Sequence, residues 1–339
     1  MSIKVLIYSK DYDLVKESGV GKAIDHQISA LKKVGCDFTL DENDDYDLVH
    51  INTVFPKSVS FAKKAHKKGK KVIYHGHSTM EDFRNSFIFS NQLAPLFKKW
   101  LIHAYKQGDL ILTPSEYSKN ILEGYKLGKK IEVVSNGIDL DFWKKKACDR
   151  KIFYEKYKLD DKKKSIISVG LPIKRKGIDD FIKLAQSLPQ YEFVWFGKLD
   201  RALMSLNIKR LIDEAPSNLK FPGYVNSEDL RLAYSGSDLY LFPTHEETEG
   251  IVLLEALATR ADIIIRDIEI FEKDYEDGVN IYKAKNLDDF REKIIGLCEG
   301  KLKSLSDLAY AKAEDKSIIN TGKRLVEIYE RVINNEIYS

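Results

Sequence analysis

Short, continuously apolar runs recur along the chain and alternate with longer segments in which apolar residues return every three or four positions. Unbroken apolar runs are typical of parallel strands that are buried on both faces, and the segments between them predict helices. The alternation therefore predicts an α/β protein built from βαβ units. The predicted strands are Val5–Tyr8, Leu48–Ile51, Val72–Tyr74, Leu110–Leu112, Val133–Val134, Ile166–Val169, Glu192–Phe196, Leu239–Phe242 and Ile263–Ile265.

This pattern is interrupted once, by the lysine-rich, strand-free segment 144–164, and then restarts. A chain of 339 residues has the length of two ordinary domains. We therefore predict one Rossmann-like, doubly wound domain over 1–140 and a second over 141–317. Open sheets of this kind bind ligands beyond the carboxyl ends of their strands, so we expect a cleft between two facing sheets.

The charge and the cysteines limit the binding partners and the cellular compartment that we expect. The net charge is only +3, which does not indicate a nucleic-acid partner. Cys36, Cys148 and Cys298 lack disulfide or metal-ligand spacing, which favours a reducing, cytosolic environment. We see no signal-peptide core at the amino end and no apolar run near the roughly 18 residues of a membrane span, so we expect a cytoplasmic protein that is at most peripheral to a membrane.

The segment 242–257 carries the most informative chemistry. A strand ends at Phe242, an acidic loop containing Glu247 follows, and a helix begins near Gly250. The free N–H groups and positive dipole of a helix start suit a diphosphate, and the glutamates suit sugar and ribose hydroxyls. The same segment is also explained by an acidic loop that only caps a helix, with Glu255 exposed to solvent. The residues alone do not decide between this structural role and a donor-binding site. The predicted donor-binding residues here are Thr248, Glu249, Gly250, Ile251 and Glu255, with Glu247 as a catalytic residue.

A basic cluster follows the first strand of the second half. Gly170 ends that strand, and Lys174, Arg175 and Lys176 precede a glycine at a predicted helix start. Cations there can neutralise a diphosphate leaving group, so we predict catalytic roles for Arg175 and Lys176 and a donor-binding role for Gly170. An exposed basic loop is the ordinary alternative.

Two further loops follow strands of the first half. His77 comes just after the strand Val72–Tyr74 and is predicted to line the cleft as a catalytic residue, whereas His75 is interpreted as structural. Gly19 and Gly21 follow the first strand and are predicted to bind the donor, although contact with the acceptor or a plain tight turn before a helix explains them as well. They lack the third glycine of a dinucleotide fingerprint.

Two Asp-x-Asp pairs imitate a metal site. One is Asp11 with Asp13 and the other is Asp45 with Asp47. We interpret both as solvated turns, predict no metal site and expect no obligatory cofactor, although Mg²⁺ stays possible.

These motifs together resemble the retaining GT-B glycosyltransferases of family 4. Glu247 and Glu255 match the paired glutamates of that family, although Thr248 and Glu249 replace the usual Gly-Phe, and Leu171 replaces a frequent arginine. The resemblance implies that Glu247 contacts the donor sugar, Glu255 the ribose, and His77 the sugar's hydroxymethyl group. It also implies a nucleotide-sugar donor, transfer with retention, and a last helix (318–339) that crosses back to the first domain. The other matching segments are 135–139, 168–170 and 174–177.

The acceptor is suggested by a basic surface between residues 57 and 71, followed by several aromatic residues. Lysines beside aromatic residues suit an anionic bilayer, although lysines on a helix are usually just solvated. The stretches 47–53, 75–88 and 93–101 resemble the Gram-positive transferases that add a second hexose to monoglucosyl-diacylglycerol, the anchor lipid of lipoteichoic acid. That resemblance implies UDP-galactose or UDP-glucose as donor, a glycosyl-diacylglycerol acceptor, and a place on the inner face of the cell membrane. The predicted membrane-surface residues are Lys63, Lys64, Lys67, Lys68, Lys70 and Lys71.

Two rival functions remain open. One is a soluble glycosyltransferase of the same fold that acts on a polysaccharide or small molecule, for which the basic surface is incidental. The other is a non-catalytic GT-B subunit that binds a partner enzyme, against which the intact set of Glu247, Glu255 and Lys176 argues. A phosphorylase or epimerase is less favoured, because the chain is short for the former.

Overall fold

The computed structural model describes residues 3–337, which form two compact units. The first unit comprises the chain up to Glu81, then Gln92–Asp139, and the chain from Lys316 onwards. The second comprises Asp82–Asn91 and Leu140–Asp315. The change of unit after Asp139 falls beside the predicted boundary at 140. The sequence did not indicate that the short segment 82–91 belongs with the second unit.

The first unit contains a parallel six-stranded sheet in the order β2-β1-β3-β4-β5-β6. Its central strands are mostly apolar and almost entirely buried, as expected of parallel strands covered on both faces, although β3 and β4 also bury His50 and His75. The strands are β1 (Lys4–Tyr8), β2 (Asp37–Thr39), β3 (Leu48–Ile51), β4 (Lys71–His75), β5 (Leu110–Thr113) and β6 (Ile131–Val133). The helices along this part of the chain are α1 (Gly19–Lys33), α2 (Pro56–Lys67), α3 (Met80–Phe83), α4 (Ser90–Tyr105) and α5 (Glu116–Glu123).

The second unit repeats this architecture, with a parallel sheet in the order β12-β11-β10-β7-β8-β9. Its core consists of aromatic and aliphatic side chains between that sheet and its helices, among them Phe181 and Trp195. The strands are β7 (Ser165–Val169), β8 (Glu192–Phe196), β9 (Leu219–Gly223), β10 (Leu239–Phe242), β11 (Ile263–Arg266) and β12 (Tyr282–Ala284). The helices are α6 (Asp149–Tyr157), α7 (Ile178–Ser187), α8 (Leu206–Asp213), α9 (Ser227–Gly236), α10 (Ile251–Ala258), α11 (Leu287–Cys298) and α12 (Ser306–Asp315).

The last helix, α13 (Ile318–Ile333), returns to the first unit and packs against α1. Gly322 permits the close approach, since a Cβ atom there would lie 2.6 Å from the carbonyl oxygen of Ala30. Arg324 and Arg331 of α13 both bind the Glu132 carboxylate of β6, at 3.0 and 2.6 Å. The predicted helix over 318–339 ends at Ile333, and its last two residues lie outside the described part of the chain.

Candidate active site

The second unit brings a lysine and a glutamate together at the carboxyl ends of neighbouring strands. Lys176 lies in a short 3-10 turn after β7, and Glu247 lies in the loop after β10. The ammonium group of Lys176 donates to Oε1 of Glu247, and the Thr244 hydroxyl also lies 3.3 Å from that oxygen. Burial lowers the pKa of Lys176 from its usual value. The fold thus joins a cation and a carboxylate that stand 71 positions apart.

Gly250 forms the start of α10 in a left-handed conformation, with φ of 85°. Glycine adopts this conformation without strain, and a Cβ atom there would crowd the Phe242 ring at 3.1 Å. Gly250 itself has no side chain to cap the helix, so the first-turn N–H groups keep their anion-binding character. Thr248 is half-buried, whereas Glu249 and Ile251 are buried.

Glu255 is fully buried, so the alternative of a solvated helix residue is wrong. It lies on α10 and accepts a hydrogen bond from the Tyr234 hydroxyl at 3.1 Å. A buried carboxylate needs such partners, because an unpaired charge in the core is costly.

Gly170 allows the Lys176 side chain to pack close to the backbone at the end of β7. A Cβ atom on it would lie 3.6 Å from the Lys176 stem, and its carbonyl oxygen accepts the Trp195 indole proton at 2.9 Å. Gly197 approaches the same carbonyl so closely that a Cβ atom there would stand 2.0 Å from the oxygen. The turn after β7 therefore holds the lysine stem against backbone.

Arg175 is buried and already engaged by other groups, so it is not the free cation of an exposed basic loop. Its guanidinium contacts the Asp82 carboxylate at 2.5 Å, the Ser86 hydroxyl at 3.0 Å and the Glu246 carbonyl at 3.0 Å. It thus fixes the segment 82–91 to the loop that carries Glu247. This contact could not be predicted from the sequence, because Ser86 lies 89 positions before Arg175.

Arg266, at the end of β11, also supports that loop and was missed by sequence reasoning. It donates to the Pro243 carbonyl at 2.9 Å and to the Asp180 carboxylate at 2.5 Å. The signal available in the sequence was a lone arginine directly after the apolar run Ile263–Ile265, where a charged side chain requires partners.

In the first unit, His77 is part of a buried polar cluster at the carboxyl ends of β3 and β4. Its Nε2 lies 2.9 Å from Oδ1 of Asn52, and its ring stacks on His75 with centroids 4.0 Å apart. His50 of β3 lies 3.1 Å from His75, nitrogen to nitrogen. Burial lowers the pKa of His77 and of His50 to about 3 and that of His75 well below its usual value. All three rings are therefore neutral at physiological pH.

The first glycine loop has a steric explanation for one of its two glycines. α1 begins at Gly19, and Ser18 caps it by accepting from the Gly21 N–H at 3.4 Å. A Cβ atom on Gly21 would stand 2.2 Å from the Val15 carbonyl oxygen, whereas one on Gly19 would meet nothing within 4 Å. Gly21 is therefore required by local packing.

The expectation of a solvated turn is wrong for Asp11. This residue is 7 % exposed, and its Oδ1 lies 3.3 Å from the Lys57 ammonium. Within residues 3–337, its Oδ2 has no hydrogen-bond partner. Asp13, Asp45 and Asp47 are exposed.

The predicted basic surface lies on α2 and its exit. Lys63, Lys64, Lys67 and Lys68 are exposed, and no carboxylate in the described part of the chain lies within ion-pair distance of them. Lys70 is half-buried and pairs with Asp45 at 3.4 Å, and Lys71 is the half-buried first residue of β4. Within residues 3–337, none of the helices combines the length and apolarity that crossing a bilayer requires.

The chain forms two doubly wound units, and one of them holds a buried lysine–glutamate pair near the start of a helix. This is the architecture of GT-B glycosyltransferases, and comparisons with known proteins confirm that class. Residues 149–315 match the family model of glycosyl transferases group 1, and residues 26–142 match that of glycosyltransferase family 4. The chain is 38% identical over 332 residues to the processive diacylglycerol alpha-glucosyltransferase of Acholeplasma laidlawii, covering 98% of this chain and 99% of that protein. It therefore belongs to the family-4 type of GT-B glycosyltransferase.

Other relatives agree. The alpha-galactosylglucosyldiacylglycerol synthase of Streptococcus pneumoniae is 28% identical over 67% of this chain and 62% of its own length. Among solved structures, Anabaena HepE in complex with UDP and glucose superposes with a TM-score of 0.76 at 15% identity, over 97% of this chain and 99% of its own. Sucrose-phosphate synthase of Thermosynechococcus elongatus gives 0.80 at 13% identity, over 98% and 100%. These two structures establish the fold.

Proposed function

We propose that this enzyme transfers glucose or galactose from a UDP-sugar to a membrane glycolipid, monoglucosyl-diacylglycerol, with retention of configuration. The product would be the anchor glycolipid of lipoteichoic acid. The observation that carries this proposal is the full-length similarity to a diacylglycerol alpha-glucosyltransferase at 38% identity. Glycosyl-diacylglycerol synthases from two organisms support the same acceptor class.

The second unit would bind the nucleotide-sugar. Lys176 and the N–H groups at the start of α10 would face the diphosphate, and Glu255 would bind the ribose. Charge that develops on the leaving diphosphate is stabilised most strongly by groups already in place and shielded from water. Because these groups supply positive charge, we propose that no metal ion is obligatory.

The reaction exchanges one bond for another at the anomeric carbon. The bond from this carbon to the diphosphate oxygen breaks, a bond to the acceptor hydroxyl oxygen forms, and the hydroxyl proton passes to the departing UDP. Lys176 would shift from Glu247 towards the diphosphate, which frees the Glu247 carboxylate to bind sugar hydroxyls. Because these groups would orient the donor and the acceptor hydroxyl, the transfer would need no strong general base.

The first unit would hold the glycolipid at the inner face of the membrane. Exposed lysines on α2 attract anionic headgroups by about 1 kcal/mol each. Apolar side chains around the start of α4 are also exposed, which is unusual for groups of this size and suits contact with acyl chains. In the first unit they are Leu93 and Leu96, whereas Phe87, Ile88 and Phe89, which are also exposed, belong to the second unit.

The decisive assay offers UDP-glucose and UDP-galactose separately to purified enzyme with monoglucosyl-diacylglycerol in anionic vesicles. We expect release of UDP with one donor and a diglycosyl lipid whose new linkage is alpha, as retention requires. Transfer to soluble oligosaccharides but not to the lipid would favour the soluble alternative. Absence of UDP binding to folded protein would refute the enzyme's donor assignment.

A further inference from the structure

The buried cluster at the ends of β3 and β4 has a defined order of donors and acceptors. Asn52 lies between His77 and Gln27, with its amide oxygen 2.9 Å from His77 Nε2. Its amide nitrogen donates to Oε1 of Gln27 at 2.7 Å. Since both ends of the amide are engaged, Asn52 presents its oxygen, and only its oxygen, to His77.

The orientation of Gln27 is fixed from its other side. Its Nε2 donates to the Tyr329 hydroxyl at 3.1 Å and to Nδ1 of His50 at 2.6 Å. His50 thereby accepts at Nδ1 and keeps its proton on Nε2, which faces Nδ1 of His75. Donation thus runs from Asn52, just after β3, to Gln27 of α1, and from Gln27 to His50 of β3 and Tyr329 of α13.

We infer that Asn52 is a positioning residue that fixes His77 in the tautomer with its proton on Nε2, which leaves Nδ1 to accept a hydrogen bond from a sugar hydroxyl. An amide oxygen can only accept, so Nε2 of His77 must carry the proton. Within residues 3–337, no group bonds Nδ1 of His77. The tautomer stands independently of the proposed function, whereas the identity of the hydroxyl rests on it.

This arrangement has a consequence for substrate chemistry. A hydroxyl can donate to Nδ1, but a carboxylate cannot, and a charged imidazolium could not accept at all. The groups that face His77 are the stacked ring of His75 and, beyond it, His50, both neutral. Burial holds the pKa of His77 at about 3, so the accepting form persists at working pH.

The first test reads the tautomer of the intact wild-type enzyme directly. Long-range proton–nitrogen correlation spectra of ¹⁵N-histidine-labelled protein distinguish the two neutral tautomers, and a His77→Gln variant assigns the signals. We expect His77 to be protonated at Nε2. Protonation at Nδ1 would overturn the inference, and this measurement needs no variant at position 52.

The second test is Asn52→Asp, with Asn120→Asp as a matched control on the exposed surface of α5. A carboxylate at position 52 accepts the same proton and adds a negative charge, which should raise the pKa of His77 above about 5. As pH falls through that value Nδ1 becomes protonated, so kcat/KM should drop about tenfold per pH unit. The control should show neither change. An unchanged His77 titration in a folded Asn52→Asp enzyme would overturn the positioning role.

A third measurement separates the two claims. Addition of UDP-glucose to the wild-type enzyme should shift the Nδ1 signal of His77, because a new donor reaches that nitrogen. UDP binding seen by calorimetry, without any such shift, would overturn the sugar contact while leaving the donor assignment of the second unit intact. Failure of UDP to bind would instead refute the proposed function.

Discussion

At the residue scale, the buried charges of the second unit are satisfied by partners that are distant in sequence. Lys176 binds Glu247, Arg175 binds Asp82, and Arg266 binds Asp180. Desolvated ions are tolerated only when they are paired and hydrogen-bonded. Removal of one partner therefore leaves an uncompensated charge, and substitutions here affect folding as well as chemistry.

Lys176→Met keeps the length of the stem but removes the charge that would face the diphosphate. We expect kcat to fall by about 10²–10³-fold, as for loss of one preorganised charge-stabilising group. The matched control is Lys151→Met on the exposed face of α6, which should retain full activity. Equal UDP-release rates for the two variants would contradict the role of Lys176.

The pH dependence of stability follows from the three buried histidines of the first unit. Their pKa values in the folded state lie far below the unfolded value near 6.5. Below pH 6.5 the unfolded chain therefore binds more protons, so stability falls as pH drops towards about 3. Between pH 7 and 5.5, urea denaturation should show a loss of about 4 kcal/mol from these three groups.

His50→Gln provides the control for that loss, because it removes one titrating group from the cluster. The decrease in unfolding free energy between the two pH values should then be about a third smaller than in the wild type. An identical decrease in both proteins would show that the histidines do not cause it.

At the element scale, the strands that sequence reasoning missed all lie at sheet edges. β2, β9 and β12 are edge strands of three to five residues. Edge strands are covered less completely and tolerate polar residues or proline, such as Asp37 in β2 and Pro222 in β9. They therefore lack the continuous apolar run that reveals a central strand.

The contact between α1 and α13 should be sensitive to a single methyl group. Gly322→Ala would place a carbon 2.6 Å from the Ala30 carbonyl oxygen, so the two helices must separate. We expect a loss of about 1–3 kcal/mol in unfolding free energy, in the range of overpacked cores. Lys323→Ala, one position along and exposed, should cost less than about 0.5 kcal/mol. Comparable denaturation midpoints for both variants would contradict the close approach.

At the scale of the whole molecule, charge is distributed unevenly over the two units. The exposed lysines Lys63, Lys64 and Lys67 of α2 lie in the first unit, in a chain whose net charge is only +3. An anionic bilayer should therefore attract one surface of the protein preferentially, and that attraction should weaken with salt.

Replacement of four exposed lysines, three on α2 and one directly after it, by glutamine tests this preference. Co-sedimentation with phosphatidylglycerol vesicles at low salt should weaken by up to about 4 kcal/mol, since each lysine contributes about 1 kcal/mol. High salt should weaken wild-type binding towards the level of the variant. The substituted residues are Lys63, Lys64, Lys67 and Lys68.

A control with the same change of net charge replaces four exposed lysines of the second unit by glutamine. Vesicle binding by this control should stay close to that of the wild type. An equal loss in both proteins would mean that net charge, and not the α2 surface, governs binding. The control residues are Lys151, Lys162, Lys301 and Lys303.

The α/β class and the central strands could be predicted from the sequence alone. Lys176, Glu247 and Gly250 could be named from it as candidate site residues, and their chemical roles stay predictions. These features depend on local signals in the sequence. The spacing of apolar residues reflects which face of each helix or strand is buried. The residues of the loops and helix starts come directly after the strands that position them. A resemblance carried by ordered motifs added the GT-B family, which the comparisons confirm.

The partners of the buried polar groups could not be predicted from the sequence and are seen only in the folded chain. No sequence period relates Asn52, Gln27 and His50, which are linked by hydrogen bonds, or Arg175 and the segment 82–91. The burial of Asp11 and Glu255 was likewise not indicated by the sequence. Hydrogen-bond partners in a core are chosen by three-dimensional proximity, because any compatible donor and acceptor suffices chemically. Whether a particular polar side chain is buried therefore depends on how the sheet and its helices pack around it, which the local sequence does not specify.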